Sequence, residues 1–93
     1  MVTAVQVWDL HLEGCRSLKD KRSVLQPLKA ALRRKLNVAV AEVGHQDRWQ
    51  RATLACVTVG SDRRVVDEIL READAVVEAA DGVRIIETER TAV

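Results

Sequence analysis

A chain of 93 residues with 47% apolar and 31% charged side chains has the makeup of one folded domain, not of a disordered segment. No apolar run reaches the ~20 residues a membrane helix needs, no basic-then-apolar leader opens the sequence, and Cys15 and Cys56 are too few for a disulfide framework, so the expectation is a cytoplasmic protein with reduced thiols and no membrane association. The net charge of +1 hides a sorting by position: residues 1–35 carry eight basic and three acidic groups, and residues 61–93 carry five and nine. Such asymmetry points either to an anionic partner for the first half or to an internal match between the halves.

Residues 2–12 (VTAVQVWDLHL) are rich in Val, Leu and Trp and free of Gly and Pro, the composition of a strand. Residues 13–16 turn the chain. Ser17, with Asp20 three residues on, forms a capping-box arrangement, and Leu18, Leu25, Leu28, Leu32 and Leu36 recur at helical spacing until Asn37. Pro27 deletes one backbone bond of that helix and predicts a kink; Ser23 with Gln26 offers a second start. Residues 38–43 (VAVAEV) read as a second strand, 44–50 (GHQDRWQ) as a polar connector and 51–59 (RATLACVTV) as a third strand. Gly60-Ser61-Asp62 breaks the pattern and caps a second helix, whose apolar stripe includes Val65, Val66, Ile69, Leu70, Ala73, Val76, Val77 and Ala80. Asp81-Gly82 closes it, and residues 83–89 (VRIIETE) form the fourth strand.

The order β-α-β-β-α-β predicts one α+β domain over residues 1–93, a ferredoxin-like two-layer sandwich. Right-handed crossovers place both helices on one face of an antiparallel sheet of order 4-1-3-2. The start of the first helix, the 44–50 connector and the Asp81-Gly82 turn then share one pole. On the sheet, Trp8, Leu10 and Leu12 fall on one side and Val5 and Val7 on the other, and Val57 and Val59 oppose Leu54 and Cys56. A sheet with one solvated face should alternate more cleanly. The expected cover for the open face is a second copy of the chain, giving a homodimer.

The shared pole holds the candidate anion or nucleic-acid site: Ser17, Lys19, Lys21 and Arg22 from the helix start, with His45, Arg48 and Arg51 from the connector. Three cations at a helix start oppose its dipole by about 0.3–1 kcal/mol each, a local rule broken as functional sites break them. RNA phosphate is the matching counter-charge, and Trp49 is placed to stack on an unpaired base. The opposing expectation is internal neutralisation. Asp74, Glu78 and Asp81 of the second helix would pair with Lys19, Lys21 and Arg22, while Arg33, Arg34 and Lys35 would face Asp62, Asp67 and Glu68. Arg48 and Arg51 have Asp47 and Glu42 within reach.

RNA recognition through the sheet face is disfavoured, because the third strand has no aromatic residue on which to stack a base. Enzymatic readings are weak. With five residues between them, the position that follows Cys15 in a C-x5-R phosphate loop holds Lys21 and not the required arginine. The water-positioning asparagine of ferredoxin-like acylphosphatases has no counterpart, since Asn37 lies at the far pole. His45 with Asp47 or Glu42 lacks a nucleophile. His11, His45, Cys15 and Cys56 have no metal-ligand spacing, so neither metal nor cofactor is expected.

Three strings are distinctive: SLKDKR at 17–22, AEV at 41–43 and WQRA at 49–52. With these the chain closely resembles the YlxP-like family of small bacterial proteins of unknown function along nearly its whole length. The resemblance implies a ferredoxin-like fold. It also implies a role near RNA, because the family's genes often lie beside translation-initiation and ribosome-maturation genes; no catalytic residues come with it. The expectation is therefore a non-catalytic RNA- or ribosome-associated accessory factor. The alternatives are a ligand-sensing dimer of the ACT kind, using the turn at Gly14, and a structural protein-interaction module.

Overall fold

The computed structural model describes residues 1–92. Six elements follow in chain order: β1 (Val2–His11), α1 (Leu18–Lys35), β2 (Ala39–Gly44), β3 (Arg51–Gly60), α2 (Arg63–Glu78) and β4 (Arg84–Ala92). The sheet order is β2-β3-β1-β4, the expected 4-1-3-2 read from the other edge, and all three pairings are antiparallel. Two helices on such a sheet make the ferredoxin-like α+β fold.

Local chemistry sets the element ends. The Ser17 hydroxyl accepts from the Asp20 N–H at 3.0 Å, and the Asp20 carboxylate accepts from the Arg16 N–H at 3.0 Å. These bonds satisfy donors at the helix start and begin α1 at Leu18, so the second start at Ser23 is not used. The helix then runs unbroken through Pro27. Pro27 is exposed, so the Ser23 carbonyl that lacks its usual donor is on the wet side, where the loss costs least. Asp62 caps α2 by accepting from the Val65 N–H at 3.1 Å, and Gly82 takes the left-handed turn beyond that helix at φ 77°.

Alternation assigns the two sheet faces. Ala4, Gln6, Trp8, Leu10 and Leu12 are buried, as are Ala52, Leu54, Cys56 and Thr58. They meet Leu25, Leu28 and Leu32 of α1 and Val66, Leu70, Ala73 and Val77 of α2. Trp8 is fully buried and is the largest core side chain. Its indole N–H donates to Asp74 Oδ1 at 2.8 Å, and Gln6 Nε2 donates to the same oxygen at 3.1 Å. Arg90 donates from Nη2 to Asp74 Oδ2 at 3.1 Å and from Nε to Gln6 Oε1 at 2.7 Å. One carboxylate on α2 thus satisfies the buried Trp8 and Gln6 donors of β1, which would otherwise be unpaired, and also pairs with Arg90 of β4.

The fourth strand extends to Ala92, three residues past its expected end, because residues 90–92 pair with 6–4 of β1. A bulge at Ile86 and another at Val43 interrupt the outer strands. Beside the second, a Cβ on Gly44 would lie 3.0 Å from Thr53 Oγ1, which explains glycine there. On the face away from the helices, Val5 and Val7 of β1, Ala55, Val57 and Val59 of β3, and Ala39 and Ala41 of β2 form an apolar centre. No helix among the described residues is long and apolar enough to cross a membrane.

Candidate functional site

The ends of β1, β3 and β4 meet at one pole, where His11 stands opposite Arg51 on one side and Arg84 on the other. The LKDKR segment of α1 and the connector at 45–50 are joined there by one side chain. Lys21 is only 3% exposed. Its ammonium donates to the carbonyls of His45 at 2.7 Å and Arg48 at 2.8 Å and pairs with Glu42 Oε2 at 2.6 Å. Two hydrogen bonds and one ion pair therefore occupy the buried ammonium. The two segments come together as expected, but Lys21 is their clamp and not a free cation for a ligand.

The clamp shapes the connector. His45 holds φ 60°, a left-handed conformation that costs a non-glycine residue about 1–2 kcal/mol. Its carbonyl also accepts from the Arg48 N–H at 2.9 Å, closing a tight turn over 45–48. Gln50 ties down the far end, donating from Nε2 to the Cys15 carbonyl at 3.2 Å. Between these anchors Arg48 and Trp49 project into solvent, and Trp49 is 53% exposed. They border an open cavity of about 470 Å³ lined by His11, Asp47, Arg48, Trp49, Gln50 and Arg51. A smaller cavity of about 250 Å³, lined in part by Arg22, Gln26, Lys29 and Gln46, lies on the α1 side of the connector.

The remaining candidates divide. Lys19, Arg22 and Arg48 are exposed and have no ion pair among the described residues. Arg51 is partly engaged, since its Nη2 donates to Asp9 Oδ2 at 2.7 Å. Asp9 Oδ1 lies 4.0 Å from His45 Nε2, within ion-pair range when the imidazole is protonated. The Ser17 hydroxyl is used in capping and is a helix-start group, not a ligand group.

The expected neutralisation of one helix by the other does not occur. No ion pair joins α1 to α2 among the described residues: Lys21 turns to Glu42, Asp74 turns to Arg90, and Arg33 Nη2 donates to the Val40 carbonyl at 2.7 Å. Arg51 likewise pairs with Asp9 and not with Glu42. The basic surface of α1 consequently keeps its charge.

Neither thiol is an activated nucleophile. Burial, then the nearby Asp20 carboxylate, raise the Cys15 pKa, and burial pushes Cys56 up to about 11. Among the described residues, no group of three or more His, Cys, Asp or Glu side chains converges as a metal site. The arrangement offers an aromatic face flanked by cations: surface suited to holding an anion or an unsaturated ring.

Sequence reasoning gave Asp9 no site role and assigned Glu42, Arg33 and Asp74 other partners than Lys21, the Val40 carbonyl and Arg90. Glu42 carried a usable signal. It shares the parity of buried Val40 on β2, so a charge there faces the helix layer and requires a buried partner.

A ferredoxin-like domain with a clamped, cation-flanked connector is the class that fold and site define. The family described as "Protein of unknown function (DUF503)" matches residues 3–90, and the chain belongs to it. It is also similar to the "Uncharacterized protein YlxP" of Bacillus subtilis (strain 168), 35% identical over 63 residues that cover 68% of each chain.

Proposed function

We propose that this protein is a non-catalytic, cytoplasmic RNA- or ribosome-associated accessory factor that takes single-stranded RNA along its basic pole. The observation that carries the reading is the pairing of half-exposed Trp49 with uncommitted Arg48 beside the open cavity. A nucleobase stacked on Trp49 is worth about 1–3 kcal/mol. Arg48, Arg22 and Lys19 supply phosphate contacts, with Arg51 and His11 at the cavity wall. Each phosphate neutralised adds about 0.7 to the slope of log affinity against log salt for a single strand. Lys21 acts at one remove, by holding the connector. Titration of a labelled uridine 12-mer at two salt concentrations tests the reading: affinity falls steeply with salt and with Arg48→Glu.

The working unit is a homodimer formed through the open sheet face. Four strands about 4.8 Å apart and ten residues of about 3.3 Å give a footprint of roughly 600 Å². Its accessible area approaches the ~800 Å² per partner of a standard interface. The apolar centre of Val5, Val7, Val57 and Val59 supports this, with the charges of Asp9, Arg51 and Glu87 gathered towards the pole end. Sedimentation equilibrium checks it: the wild-type chain sediments as a dimer, and Val57→Glu as a monomer.

A further inference from the structure

The sheet has two outer edges, and they are treated differently. On β2, side chains stopper the edge carbonyls: Arg33 donates to Val40 O at 2.7 Å and Gln46 to Glu42 O at 3.4 Å. On β4, no side chain bonds to the strand's backbone among the described residues, although the strand runs for nine residues, nearly all exposed. An unpaired edge of that length is a template for an added strand.

Charge selects what can add. Glu87 and Glu89 stand two residues apart on the open face of β4, opposite Asp9 and Val7 of β1, and neither has an ion pair among the described residues. Across the strand, Thr88 and Ile85 border a cavity of about 340 Å³ that Asp74 and Glu78 of α2 also line. On that side Arg90 pairs with Asp74 and Arg84 lines the same cavity, so the acidic side of the edge is the open face, at Glu87 and Glu89. A second copy is a poor occupant. Antiparallel self-pairing centred on residues 87 to 90, with the helix layers on one side, sets Glu87 against Glu87 or Glu89, Glu89 against Glu89, or Arg90 against Arg90. Like charges directly opposite destabilise a pair. The β2 edge of another copy is blocked by Arg33 and Gln46.

We propose that the β4 edge binds an extended polypeptide of another protein that carries lysine or arginine at every second position, adding it as a fifth strand. Backbone hydrogen bonds hold the segment, and its basic residues meet Glu87 and Glu89. Glu87 and Glu89 do not line the cavity beside Trp49 and Arg48, so the RNA reading and this proposal stand or fall separately.

The test uses the full chain, isotope-labelled, and the capped decapeptide (Lys-Thr)5. The expected result is amide shift changes confined to residues 84–92 and their β1 neighbours. Affinity falls about tenfold or more for a peptide N-methylated at alternate backbone nitrogens, and similarly for the double variant Glu87→Gln with Glu89→Gln. Both glutamates are exposed, and retained amide dispersion in the double variant verifies its fold. Equal binding of the N-methylated peptide, shift changes on β2 or α2 alone, or no binding at about 1 mM peptide overturns the proposal.

Discussion

The Lys21 ammonium and the Glu42 carboxylate form an ion pair at 2.6 Å between α1 and β2, and the same ammonium holds the carbonyls of His45 and Arg48. Replacing Lys21 by Met keeps the length of the stem and removes every one of these contacts. Glu42 and two carbonyls then lose their donor in a largely dry place, at a cost of about 2–4 kcal/mol. Denaturant unfolding of Lys21→Met shows this loss. A variant as stable as the wild type denies the clamp its structural role.

Asp74 makes a second, graded prediction. Asp74→Ala leaves the Trp8 indole N–H and the Gln6 amide without their acceptor and costs about 2–3 kcal/mol. Asp74→Asn keeps an oxygen for both donors, but its amide nitrogen replaces the oxygen that accepts from Arg90, so it loses that ion pair and hydrogen bond at a partly exposed site and costs about 1 kcal/mol. Thermal unfolding of the two variants separates them by several degrees.

Arg33 protects an edge. Arg33→Ser together with Gln46→Ala uncovers the Val40 and Glu42 carbonyls, and the bare β4 edge of a second copy becomes able to pair with β2. Light scattering on a sizing column detects assemblies that grow with concentration in the double variant and not in the wild type.

Cys56 sets an alkaline limit. Burial is the main cause of its rise from 9.0 to about 11; the Asp74 charge also raises it, while the Gln6 backbone and Arg90 lower it. The unfolded chain releases this proton near pH 9 and the folded chain near pH 11. Stability held in full below pH 9 is therefore lost as pH rises through 11, by up to about 2–3 kcal/mol, and Cys15 adds in the same direction. Unfolding free energies at pH 8 and 11 fall less for Cys56→Ala than for the wild type.

The fold was legible because its signals were local and agreed. Ser17 and Asp20 marked one helix start, Asp62 the other, and the leucine spacing of α1 and the parity of β1 gave the buried faces. The end of β4 was not legible, since residues 90–92 are Arg, Thr and Ala and owe their strand to pairing with β1. The site was half legible. Topology alone brought LKDKR to the connector, but charge counting could not say which cation would be consumed. That depended on side-chain direction: Lys21 points inward beneath the connector, while Arg22, one residue on, points out. Antiparallel helices of opposite charge suggested mutual pairing, yet Glu42 and Arg90 lay closer to the groups concerned.

Trp49 reports most directly on the central claim that the connector presents a cation and an aromatic face to RNA. Trp8 is fully buried, so fluorescence quenching on ligand binding arises at Trp49. Titrating the uridine 12-mer should quench Trp49 saturably, with affinity that falls steeply as salt rises and is lost in Arg48→Glu. Absence of saturable quenching at low salt, or quenching indifferent to both salt and the Arg48 charge, would contradict the account.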